Sequence, residues 1–260
     1  MNTEPSLPPS SQPSPTPPAF PQSTRLAPAP AHNWKLEPIE GTINFASVIE
    51  NLLRAPGRIL HEAGGGASRV PLLLLVISVF CLGVFGFLLG TFSGGIQYWA
   101  APAKIVLGVL AATLICLPSL YIFSALGGVE ARLAHIVALA IAAIALTALL
   151  LLGFAPVLWV FSQSTESLSF MGTLALAFWM ISLIFGMRML HAAATAMRAR
   201  SPGYLTIWIM IFVVVTLQMS TAMRPIIGTA GTFLPQEKKF FITHWIDELD
   251  ASAKKARTSD

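Results

Sequence analysis

The chain has 260 residues, of which 55% are hydrophobic and 11% charged, with a formal net charge of +4. Soluble domains carry about 25% charged residues, so this deficit excludes an ordinary water-soluble domain and points to the membrane. The positive charge is scattered, which excludes a nucleic-acid footprint, and Cys81 and Cys116 lie apart in apolar runs without metal-ligand spacing.

Ten prolines fall in the first thirty-one positions, among Ser, Thr, Gln and Ala. Residues 1–41 are therefore predicted to form a disordered cytoplasmic tail, because such a composition buries too little apolar surface to offset chain entropy. The run Pro15-Thr16-Pro17-Pro18 reads either as a ligand for an aromatic groove or as plain solvated tether. The N-terminus has no basic stretch followed by an apolar core, so no cleaved signal peptide is expected.

Residues 42–69 form a juxtamembrane segment, TINFASVIENLLRAPGRILHEAGGG followed by three more residues. Phe45, Val48, Ile49, Leu52 and Leu53 recur at helical spacing, with Glu50, Asn51 and Arg54 on the other side. The helix is too short and polar to span, so it is expected to lie in the headgroup layer. Pro56 and Gly57 break it, and a second short piece runs from Arg58 to Ala63.

Residues 70–222 are predicted to form a membrane domain of five spans, near Val70–Thr91, Ala103–Leu126, Leu133–Phe161, Phe170–Leu190 and Tyr204–Ala222. Each is close to or above the roughly 20 apolar residues needed to cross a bilayer. Tyr98, Trp99, Trp159, Tyr204 and Trp208 flank these runs as interfacial anchors should. With the N-terminus inside, seven basic residues lie on the cytoplasmic side (Arg54, Arg58, Arg69, Arg132, Arg188, Arg198, Arg200) and four outside (Lys104, Arg224, Lys238, Lys239). This asymmetry predicts an N-inside, C-outside orientation. Residues 223–260 follow as a far-side tail, in which Phe241, Trp245, Ile246 and Leu249 mark an interfacial amphipathic helix.

Nothing in the chain matches HExxH, a paired-cysteine site, GxxxxGK[ST] or GxSxG. Every charged residue of the membrane domain falls at or near a predicted helix end, which disfavours acid–base or ion-coupled chemistry in the interior. Neither a cofactor nor a metal is expected.

Four features come nearest to a site. In LICLPSLYIFSALGG, residues 114–128, Pro118 removes a backbone hydrogen bond and is expected to kink the second span. Ser119 and Ser124 are then packing hydroxyls beside Tyr121, or the lining of a solute site at a broken helix. Pro156 marks a second kink, and the two prolines are the candidate hinges. Gly86, Gly90 and Gly94 stand four apart and give a flat helix face for packing within the bundle or against a second copy. Arg54, Arg58, Arg132, Arg188, Arg198 and Arg200 are candidate contacts for lipid headgroups or partners, although the positive-inside bias alone accounts for them. Arg224-Pro225 reads as a snorkelling end to the fifth span.

The Pro-rich tail, the five spans and LLRAPGRILHEA just ahead of them together resemble the Yip1-type multi-pass membrane proteins, bacterial members in particular, over residues 47–222. That resemblance implies a helical bundle without catalysis, located in a bacterial inner membrane. In eukaryotic relatives it implies small-GTPase and trafficking partners. Their acidic-aromatic Gly-Pro motif has no copy here, so no functional residue is carried over.

The expectation is an all-α integral membrane protein, a bundle of five transmembrane helices with flanking interfacial amphipathic helices. Its expected role is non-enzymatic, a scaffold or organiser with the lipid bilayer, other membrane proteins and a second copy as partners, and no nucleic acid. The alternative is a permease or transporter subunit for a neutral or lipidic solute.

Overall fold

The computed structural model describes residues 37–39, 41–64, 69–129, 131–197, 199–201 and 203–222. The Pro-rich tail before residue 37, the far-side amphipathic helix, Glu130 and Arg198 lie outside the described residues. Seven helices follow in order: α1 (Phe45–Arg54), α2 (Pro56–Gly64), α3 (Val70–Ser93), α4 (Gln97–Leu126), α5 (Leu133–Ser164), α6 (Leu168–Ala196) and α7 (Gly203–Ala222). The last five are long and apolar enough to cross a membrane, which makes this an all-α, multi-pass integral membrane protein.

The helices begin and end where local chemistry directs. Asn44 accepts the Ser47 N–H at 2.8 Å, while the Ser47 hydroxyl accepts the Asn44 N–H at 2.9 Å, so α1 opens on a reciprocal capping box. Pro56 occupies the first position of α2, where its missing N–H costs nothing. Gly94 ends α3 at φ 69 and Gly95 continues at φ 60, a left-handed pair that turns the chain straight into α4. Helix α5, at 32 residues, is about 48 Å long at 1.5 Å per residue, which exceeds the ~30 Å hydrocarbon layer.

Within the bundle α3 is flanked by α4 and α5, α6 packs on the other side of α5, and α7 packs on α4. Helix α5 is the most enclosed span. Its buried face is largely alanine (Ala138, Ala142, Ala145, Ala148), and small side chains let helix backbones approach closely where burial of oil in oil supplies no drive. Gly186 of α6 fits this surface, because a Cβ there would collide with the Thr147 hydroxyl and lie 2.6 Å from the Ala143 carbonyl oxygen. Phe154 and Phe178 stack at 4.6 Å across the same pair of helices.

Helices α1 and α2 differ from expectation. Half of the apolar stripe expected to face lipid is turned on to the bundle, with Val48 and Leu52 fully buried while Phe45 and Leu53 remain exposed. Pro56, Ile59 and Leu60 of α2 seat against Ala138 and Ala142 of α5 and Met189 and Ala193 of α6. The residues leading into α1 are fastened to α2: the Ile39 N–H donates to Glu62 Oε1 at 3.2 Å, and Arg58 lies 3.9 Å from Glu37. The bundle therefore has a near end, carrying α1, α2 and the α4–α5 and α6–α7 loops, and an opposite far end.

Candidate functional site

The second half of α4 carries Pro118, Ser119, Tyr121 and Ser124 within an apolar span. Pro118 sits within a continuous helix and is exposed, and its ring nitrogen leaves the Leu114 carbonyl without its helical donor. One turn away the chain recruits an outside donor. Trp208 of α7 directs its indole Nε1 on to the Ser119 hydroxyl at 3.0 Å and the Cys116 carbonyl at 3.2 Å. The Ser119 hydroxyl in turn donates to Cys116 O at 2.8 Å. Trp208 is only 3% exposed and stacks on Phe212 at 5.2 Å, so it is a buried clamp between α4 and α7 and not the interfacial anchor its position suggests. Tyr204, one turn earlier, is exposed.

Ser124 does not join that network. It lines a cavity of about 410 Å³ at the near end together with Tyr121, Val129, Arg132 and Ile136. The cavity is built from the last turns of α4, the connecting loop and the first turn of α5. Gly128 at φ 79 makes that loop possible, and the loop is pinned by the α6–α7 connection: Arg200 and Ser201 donate their N–H groups to the Gly127 carbonyl at 2.8 and 3.1 Å. The Arg200 stem lies over Gly128, where an added Cβ would come 3.1 Å from its Cγ.

The glycine stripe divides. A Cβ on Gly86 would lie 2.6 Å from the Pro102 Cα, and one on Gly90 would collide with the Gln97 carbonyl, so both positions sit at the α3–α4 contact inside this chain. Gly94 is different: a Cβ would meet nothing within 4 Å, and the residue serves as the positive-φ end of α3. Pro156 is exposed within an unbroken α5.

The arginines do not form one patch. Arg54 pairs with Glu50 at 3.1 Å on the exposed side of α1, a contact of little energetic weight. Arg58 faces Glu37. Arg188 stands exposed within α6, eight residues before its end, because that helix continues to Ala196 and not to the expected Leu190. Arg132 begins α5 beside the α4–α5 loop, and Arg200 packs on Gly128 of that loop.

A charged residue also lies deeper than expected. Helix α4 starts at Gln97, six residues before the expected Ala103, so Lys104 is two turns into the helix and 1% exposed. With Gly90 against Gln97 and Gly86 against Pro102, the antiparallel register sets Lys104 beside the Gly83–Phe85 stretch, near the middle of the 24-residue α3. The expectation that all charges stand at helix ends thus fails for Lys104. Tyr98 and Trp99, read as anchors flanking the span, belong to the first turn of α4, which runs unbroken through Pro102. No Asp or Glu stands in any of the five spans.

The Ser and Thr hydroxyls of the spans mostly bond their own helices, as Ser78 to Leu74 O (2.7 Å), Thr147 to Ala143 O (2.9 Å) and Thr216 to Phe212 O (2.8 Å) do. Ser182 is the exception among the described residues, with a buried hydroxyl that has no partner. Among these residues no group of three or more His, Cys, Asp or Glu side chains is placed to hold a metal ion. Comparison with family models, with curated proteins and with solved structures finds no match for this chain.

Proposed function

We propose that this protein is a non-catalytic membrane scaffold, which organises partner proteins or lipids at its near end. The observation that carries the reading is the docking of α1 and α2 on the bundle, with residues 37–39 fastened to α2 through Glu62 and Arg58. Residues 37–39 are held against α2 at the near end, and the Pro-rich composition of the sequence before them suits a tethered recruiting segment. On this reading the near end faces the cytoplasm, in accord with the excess of arginines there, and the membrane is a bacterial inner membrane. The Yip1-type resemblance in layout agrees with a bundle that presents surfaces and does no chemistry.

The test is affinity purification from native membranes in mild detergent, with and without residues 1–40. Stoichiometric partners that vanish with the tail support the scaffold; an identical profile after truncation overturns tail-mediated recruitment. One observation favours the second reading, a permease for a neutral or lipidic solute: Tyr121 and Ser124 line a cavity. Solute flux into proteoliposomes that is lost on Ser124→Val would favour it over the scaffold.

A further inference from the structure

We propose that the cavity between the end of α4 and the start of α5 binds the phosphate group of an anionic phospholipid. Three polar side chains line it: the Tyr121 hydroxyl, the Ser124 hydroxyl and the Arg132 guanidinium. None of them has a hydrogen-bond or ion-pair partner among the described residues. Ser124 is the telling one, because it is only 5% exposed and still opens into the cavity, whereas Ser78, Ser119, Thr147 and Thr216 satisfy themselves on helix carbonyls. The Ser124 hydroxyl reaches the cavity and is free to bond whatever fills it.

The groups that converge are donors. Arg132 carries a permanent positive charge whose planar fork matches phosphate oxygens. It is also the N-cap of α5, and no side chain caps that helix, so the positive end of the helix dipole lies beside the same arginine. Arg200 is held with its stem over Gly128 in the same loop by the loop-to-loop hydrogen bonds. The remaining walls, Val129 and Ile136 among them, are apolar and suit a glycerol backbone. Exposed Ile122 and Leu126 on α4 continue from Tyr121 as a surface for acyl chains, and a free phosphate would have no use for them. The occupant is therefore a lipid, with its head at the end of a span where headgroups lie.

This inference deepens the lipid side of the proposed scaffold. The test uses the full-length protein in a neutral detergent, titrated with dioctanoyl phosphatidylglycerol, dioctanoyl phosphatidylcholine or inorganic phosphate, and read by native mass spectrometry and thermal shift. Phosphatidylglycerol is expected to bind, with affinity falling about tenfold or more in Arg132→Gln and severalfold in Tyr121→Phe. Glu166→Gln, exposed in the α5–α6 connection at the far end, should bind as the parent does. Equal binding of the two lipids, or unchanged binding in Arg132→Gln with its melting temperature preserved, overturns the site. Inorganic phosphate bound as tightly as the lipid, with the same Arg132 dependence, overturns the lipid as occupant. Loss of lipid binding while tail-dependent partners are still recovered tells against this inference alone; partners lost while lipid binding persists tells against the scaffold alone.

Discussion

The indole of Trp208 on α7 and the hydroxyl of Ser119 on α4 meet at 3.0 Å, beside the one carbonyl, that of Cys116, which both of them address. This three-centre contact is the polar fastening between the last span and the bundle, and it stands next to the proline that loosens the α4 backbone. Trp208→Phe keeps the ring and deletes the donor. Interhelical hydrogen bonds in membranes contribute about 0.6–1.7 kcal/mol, so a lower melting temperature in detergent is expected. Ser119→Ala should cost less, and the double variant should cost less than the sum, which a double-mutant cycle measures directly.

The α3–α4 contact gives an ordered series. Gly86→Ala and Gly90→Ala force a Cβ into the Pro102 and Gln97 backbone and should each destabilise by about 1–3 kcal/mol. Gly83→Ala, which meets nothing within 4 Å, should be neutral. Detergent melting of the three variants checks the order; equal melting for Gly83→Ala and Gly86→Ala would contradict the close approach.

Lys104 is buried in a helix interface without an acidic residue in any span. Lys104→Met keeps the volume and removes the ion, so stability should be unchanged or higher, as replacement of buried charge by apolar groups commonly gives. Lys104→Glu should abolish accumulation of folded protein. A large loss of stability in Lys104→Met would mean that the ammonium fastens the interface.

Docking of α1 is tested at two positions on one helix. Leu52→Ala removes a fully buried side chain and should cost about 2–5 kcal/mol, with faster amide exchange through α1 and α2. Phe45→Ala, at an exposed position, should leave exchange unchanged and weaken only contact with lipid.

Number and placement of the spans were legible from the sequence because long apolar runs have few other solutions. Their neighbours were not. The spans are apolar on every side, so periodicity does not tell which face meets lipid and which meets α5. Trp208 looked like an interfacial anchor because tryptophan near the start of a span commonly is one; its burial depends on an acceptor supplied from α4, nearly ninety residues earlier. Lys104 looked terminal because Tyr98 and Trp99 read as anchors outside the second span, whereas both lie within α4. Tyr121, Ser124 and Arg132 fall in two different elements, and only the fold of the Gly127-Gly128 loop brings them around one cavity. Conversely, the stripe on α1 was legible as amphipathic, but two surfaces compete for such a face, and packing on the bundle took Val48 and Leu52.

The lysine between α3 and α4 has a consequence for how the chain is made. A lone α4 entering the bilayer would carry an ammonium two turns from its start, at a cost below the roughly 2.5–3.5 kcal/mol of a charge at the helix centre. The glycine-lined face of α3 covers that side chain only when both helices are present. Release of the first two spans from the insertion machinery as a hairpin is the expected outcome, which glycosylation mapping of chains truncated after α3 or after α4 would register.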